Sequence, residues 1–175
     1  MLDPNEMKSF DKEHQEQLDL LWTMIKKVKV GIVTLFHNER WFSAPMYLIQ
    51  DNFDNGRLYF IANDSCTMIQ EMKEHHAVLG VIFSNPTQKI YVSLCGAALI
   101  TDDQSLIDRF WDNKLLRWLP KGKEDPSLRL IVVDAHSAEY WDEDNNRLQA
   151  AFDRFITGTT LEGVRINEHQ HLNLN

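Results

Sequence analysis

Residues 77–101 read Ala77-Val78-Leu79-Gly80-Val81-Ile82-Phe83-Ser84-Asn85-Pro86-Thr87-Gln88-Lys89-Ile90-Tyr91-Val92-Ser93-Leu94-Cys95-Gly96-Ala97-Ala98-Leu99-Ile100-Thr101. Ala77 to Phe83 is nearly all apolar and rich in β-formers, as a strand buried in a sheet requires. Asn85-Pro86-Thr87 turns the chain, because proline presets φ and asparagine bonds its own backbone. Lys89 to Thr101 is then a long strand in which Gly96 marks a bulge or a close backbone approach. The link between the two strands is too short for a crossover helix, so they pair antiparallel.

The same reading extends to both sides. Residues 5–29 form a helix whose Leu18, Leu21, Met24, Ile25 and Val28 recur at three- and four-residue spacing. Val30 to Phe36 and Trp41 to Ile49 are a hairpin across His37-Asn38-Glu39-Arg40, and Asp54-Asn55-Gly56 turns the chain into a third strand, Arg57 to Ala62. Ser65 is placed to cap a helix to about His75, with Met68, Ile69 and Met72 inward. Thr101-Asp102-Asp103-Gln104 matches a capping box opening a helix through Trp111.

A sixth strand, Leu128 to Trp141, and a closing helix from about Asn145 to Ile156, stopped by Gly158, complete the pattern. The tail from Gly163 is polar and irregular, with Leu172 and Leu174 as anchors across a neighbour. Six strands joined mostly by short links give a mainly β fold, a small antiparallel barrel with helices on its flank. The 175 residues suit one domain: an N-terminal helix over 1–29, the barrel over 30–142, and a helix and tail over 143–175.

With 43% hydrophobic and 25% charged residues, and no apolar run near the ~20 residues of a membrane span, the composition is that of a soluble protein. Met1-Leu2-Asp3-Pro4 shows no secretory pattern, so the cytoplasm is the expected location. A formal charge of −8 without a basic cluster argues against nucleic acid as a partner. Cys66 and Cys95 lack metal-like spacing and are read as free thiols, Cys95 buried in its strand.

One further segment stands out: Trp118-Leu119-Pro120-Lys121-Gly122-Lys123-Glu124-Asp125-Pro126 is a rigid turn, bracketed by Trp111, Trp118 and Trp141. It reads either as a rim for a planar ligand or as an aromatic-stapled turn. His75-His76 suits a helix C-terminus, and His169 and His171 suit surface positions more than a metal. The acidic pairs Asp102-Asp103 and Asp142 to Asp144 flank helices, and no serine sits in a nucleophile-elbow sequence. Tyr91 and Ser93 share one strand face.

Ser43-Ala44-Pro45-Met46, Leu58-Tyr59-Phe60-Ile61, Tyr91-Val92-Ser93 with Gly96, Trp118-Leu119-Pro120-Lys121-Gly122 with Asp125-Pro126, and Ala138-Glu139-Tyr140-Trp141-Asp142 occur in this order. Together they resemble the general stress protein branch of the pyridoxamine phosphate oxidase-like family, over nearly the full chain. The resemblance implies a six-stranded antiparallel split barrel of FMN-binding type that forms a homodimer. It places flavin mononucleotide in clefts between the subunits, with a redox or stress-linked role; if the protein is an enzyme, it is a flavin-dependent oxidoreductase.

On that resemblance the cofactor residues are Ala44, Pro45 and Met46; Phe60, Ile61 and Ala62; Ser65, Cys66, Thr67 and Met68; Tyr91 and Ser93; and Trp111 and Trp118. No catalytic residue and no metal ligand are assigned. The sequence departs from the family where it counts: Ala44 stands for an arginine, and Cys66 and Met68 for a serine and a lysine. Each charge-assisted bond to phosphate is worth about 1.5–3 kcal/mol, so FMN binding is expected to be weak or absent. A one-residue shift brings Ser65 and Thr67 to those positions, with Lys73 and Arg40 the nearest cations. The alternative is a non-enzymatic dimeric scaffold, or a binder of another small planar ligand.

Overall fold

The computed structural model describes residues 4–52, 54, 56–72, 77–141 and 170–173. The expected closing helix Asn145–Ile156, its stop Gly158, the pair His75-His76, Lys73 and His169 lie outside these residues.

Helix α1, Pro4–Val28, delivers Leu21, Met24 and Ile25 to the core, each at most 3% exposed. It ends at Lys29, whose positive φ of 62° turns the chain into the first strand. Strands β1 (Val30–His37) and β2 (Arg40–Tyr47) form the expected hairpin, with Asn38 and Glu39 both at positive φ as a tight primed turn requires. Then come β3 (Arg57–Asn63), the short helix α2 (Thr67–Met72), β4 (Ala77–Asn85) and β5 (Ile90–Thr101). Helix α3 (Gln104–Phe110), a 3-10 turn at Asn113–Arg117, β6 (Leu128–Trp141) and β7 (Gln170–Asn173) follow.

All strands join one antiparallel sheet in the order β2-β1-β4-β5-β6-β3. Its two edges, β2 and β3, approach where Leu48 bridges Phe60 and Ile49 N–H donates to the Tyr59 carbonyl. The sheet therefore curls into a split barrel flanked by helices, closed at one point along its seam. Pro45 sits on the edge strand β2, where a missing N–H breaks no interior ladder.

The inner faces fill one core. Phe60, Leu79, Val81, Phe83, Ile131 and Val133 are fully buried, and each such side chain contributes about 1.5–3 kcal/mol of transfer free energy. A smaller cluster of Tyr59, Ile107, Leu115, Leu128 and Leu130 lies between the other face of β3 and β6 and α3. The register between β5 and β6 shifts at Cys95/Gly96, the bulge anticipated from the glycine.

Four local expectations are corrected. The tail residues Gln170–Asn173 are not irregular but form β7, which pairs with β6 of the same chain. Thr101 is not a helix cap: it is the last residue of β5, and Asp103 caps α3 by accepting from Ser105 N–H. Thr101 Oγ1 instead accepts from Asp103 N–H, supporting the capping residue. Ser65 does not cap α2 either, since its N–H and hydroxyl both donate to Asn63 Oδ1. Cys95 faces outward and is exposed, because the alternation that buries Val92 and Leu94 turns it out. Both cysteines are free thiols. Among the described residues no helix is long and apolar enough to cross a membrane.

Candidate functional site

The loop after α3 is as rigid as its prolines imply. Trp118 N–H and Leu119 N–H both donate to the Leu115 carbonyl, Gly122 N–H to Leu119, Asp125 N–H to Gly122 and Leu128 N–H to Asp125. Gly122 takes φ of 81°, a conformation that a side chain at this turn would oppose. Asp125 Oδ1 accepts from Ser127 N–H and Oγ, which holds its carboxyl below the usual range. This bracing presents Trp118 at 58% exposure, its ring 5.7 Å from that of Tyr47 and tilted by 31°. Tyr47 was not singled out in the sequence. Its signal was available: two residues beyond Pro45 on β2, it lies on the same face.

Where the resemblance expects phosphate grips, the chain is packed. Met46, Phe60 and Met68 are at most 6% exposed, and Ala44, Ala62 and Cys66 rest against the same core. Ile61 packs on the second cluster. Ser65 and Thr67 are exposed, but Ser65 gives both its N–H and its hydroxyl to Asn63 Oδ1. Beside them, Asn63 Nδ2 donates to Ser127 Oγ at 2.6 Å, Asp64 N–H donates to the Ser127 carbonyl, and Arg129 approaches the Asp64 carboxylate at 3.4 Å. The start of α2 is thus tied to the end of the Pro/Gly loop by polar groups that include an acid.

Tyr91 and Ser93 face outward from β5 and are half-buried. Tyr47 of β2 pairs with Val30 on β1, and Tyr91 of β5 pairs with Ser84 on β4 and with Trp141 on β6. Three interstrand steps separate Tyr91 from Tyr47, roughly 14 Å. One chain therefore does not bring Tyr91 and Ser93 to Trp118, and Trp141 belongs to the Tyr91 end and not to the loop it was expected to bracket.

The outward face between them is apolar. Val30, Ile32, Phe36, Trp41, Val78 and Ile82 are 42–71% exposed, and register sets Ile32 opposite Ile82. Phe36 and Trp41 pack at 4.8 Å.

Trp111 lines a cleft of about 600 Å³ that adjoins the platform through Tyr47 and runs between the β2–β3 connection and α3 with its following turn. Tyr47 and Phe110 supply further aromatic wall, and Lys29, Arg109, Lys114, Asp51, Asp54 and Asp112 its charge. Lys29 Nζ meets Asp51 at 2.7 Å and the Gln50 carbonyl at 3.0 Å, and this amine holds the Asp51 carboxyl below its ordinary value. Lys114 pairs with Asp112 at 3.3 Å. Asp54 accepts from the Tyr59 hydroxyl; burial, with the bond to Asp54, raises that phenol. Among the described residues no three His, Cys, Asp or Glu side chains gather to hold a metal ion.

The family model for pyridoxamine 5'-phosphate oxidase-like proteins matches residues 16–163. The chain belongs to that family. Solved structures similar to this family member include general stress protein 26 from Bacillus anthracis, 25% identical, covering 70% of this chain and 95% of that one, with a TM-score of 0.58. The general stress FMN/FAD binding protein from Xanthomonas citri is 22% identical over 89% of this chain and 97% of that one, TM-score 0.64. A protein related to general stress protein 26, from Clostridium acetobutylicum, is 16% identical over 75% and 89%, TM-score 0.61. No curated protein matches. The similar solved structures include several general stress proteins, the branch that the sequence resembles.

Proposed function

We propose that this family member is a homodimer that holds a flavin, or another planar ligand of that size, in a groove shared by two copies. The observation that carries the reading is the Tyr47–Trp118 pair, an exposed aromatic platform at the edge of a sheet face that is itself apolar. A contiguous exposed apolar face of this kind is the mark of a protein interface. With a second copy laid on it, Tyr91 and Ser93 of one protomer approach the platform of the other. FMN binding comes to this chain by its family and by likeness to the Xanthomonas citri FMN/FAD binding protein.

Of the cofactor's parts, the ring is the better served. Trp118 and Tyr47 offer it stacking surface, whereas the phosphate would meet Thr67 and a Ser65 whose donors are given to Asn63, with the Asp64 carboxylate close by. Bound flavin would supply the electron chemistry; the chain's own residues orient the ring and shield it from water. The packing of Ala44 and Met68 into the core favours a second reading, a dimeric scaffold or a binder of a planar ligand without phosphate.

Titration of the protein with FMN and with riboflavin separates the readings. Quenching by both, with affinities within about tenfold, fits a ring-dominated site. Absence of quenching by either at tens of micromolar sinks the flavin reading and leaves the scaffold. Sedimentation equilibrium tests the dimer: Ile82→Lys should release monomers, and a wild-type monomer would remove the shared groove.

A further inference from the structure

The cleft beside Trp111 has a charge pattern that the flavin reading does not use. Of its six charged side chains, Lys29 and Asp51 are committed to each other, as are Lys114 and Asp112. Two remain. Arg109 lies with its guanidinium carbon 4.9 Å from the centre of the Phe110 ring, and among the described residues no ion pair engages it. Asp54 accepts only the neutral hydroxyl of Tyr59 as a side-chain partner among those residues.

These two opposite charges are connected through a stack. Phe110 packs against Tyr59 at 4.5 Å, so Arg109 stands over one end and Asp54 is bonded at the other. Trp111, next to Phe110 at the end of α3, and Tyr47, which is shared with the Trp118 platform, also line the cleft. At about 600 Å³ the cleft falls within the range that accepts a small organic ligand. An uncommitted guanidinium is a planar fork suited to a carboxylate, aromatic walls suit a flat ring, and a carboxylate at the far end asks for a hydrogen-bond donor.

We infer that this cleft is a second ligand site, for a planar aromatic carboxylate that also carries an N–H donor. The carboxylate sits on Arg109, the ring lies along Trp111 and Tyr47, and the donor faces Asp54. Lys29 and Lys114 are paired with Asp51 and Asp112, so the six charges of the wall sum to zero and leave one cation, Arg109, and one carboxylate, Asp54, for the two ends of the ligand.

Isothermal titration of the full chain, freed of flavin, with 4-aminobenzoate, whose amine and carboxylate lie at opposite ends of the ring, tests this. The acid should bind one per chain, and its amide, 4-aminobenzamide, at least about tenfold more weakly, since the amide cannot form the ionic fork. Arg109→Gln should cost the acid about tenfold and leave the amide unchanged. Benzoate, lacking the donor, should bind more weakly than the amino acid analogue by a margin that Asp54→Asn removes. Equal binding of acid and amide, indifference to Arg109→Gln, or no binding at millimolar acid overturns the inference. Displacement of the acid by FMN also overturns it, by placing both in one site. Failure of FMN to bind removes the flavin reading alone, so the two outcomes are distinguishable.

Discussion

Gly96 on β5 has the backbone of Asp134 and Ala135 on β6 against it so closely that a Cβ would lie 2.6 Å from Ala135 Cα and nearer still to the Asp134 carbonyl oxygen. The obstacle is backbone at the centre of the sheet, beside the register shift that follows Cys95. Neither strand can yield without disturbing its ladder. Gly96→Ala should therefore destabilise the protein by about 1–3 kcal/mol or more, read as a lower urea midpoint at unchanged slope. Gly80→Ala, on the open outer face with nothing near its Cβ position, serves as the control.

Gln50 is the buried polar side chain that joins the β2–β3 connection to β3. Its Oε1 accepts from Tyr59 N–H at 2.7 Å and its Nε2 donates to the Arg57 carbonyl at 2.6 Å, at 1% exposure. Gln50→Leu leaves both backbone groups without these partners, at about 1–3 kcal/mol each. Urea denaturation should show a loss of at least about 1 kcal/mol. A neutral result would mean that water replaces the amide.

Restoring the family's lysine at position 68 should fail. Met68 is 2% exposed within the core, so Met68→Lys buries an ammonium among apolar side chains and lowers the melting temperature instead of creating a phosphate grip. Ala44→Arg, at a half-buried position on the edge strand β2, is the better probe. If the phosphate lies there, it should tighten FMN relative to riboflavin.

Ring binding should depend on Trp118 more than on any phosphate contact. Trp118→Ala removes one side of the aromatic pair while leaving the loop's backbone bonds in place. Flavin affinity, followed by quenching, should fall by roughly 1–3 kcal/mol, and FMN and riboflavin should lose equally. A loss confined to FMN would contradict the ring-dominated site.

Stability should fall in acid. Asp103 is held low by the Ser105 side chain, Asp125 by Ser127, and Asp51 by Lys29. A carboxyl with a lowered folded value contributes stability fully above its unfolded value, about 3.9, and loses it as pH drops through the folded one. Urea midpoints should thus be insensitive to these groups above about pH 5 and decline below about pH 4. The double substitution Asp103→Asn, Asp125→Asn keeps acceptors at both turns and should flatten the acid limb.

Much of this protein is local and was therefore written in its sequence. The apolar run of β4, the turn at Pro86 and the bulge glycine of β5 depend on period and on backbone freedom, which neighbours in the chain settle. The antiparallel class followed from short links, and the family resemblance from motifs in order. Tertiary structure decided which of two competing partners each polar group took. Ser65 turned back to Asn63, and Asp103 displaced Thr101 as the cap once β5 claimed that residue. It also buried Met68, turned Cys95 outward, added Gln170–Asn173 to β6 and set Tyr47 beside Trp118. Such outcomes hinge on surfaces brought together from distant parts of the chain, whose free energies no local pattern contains.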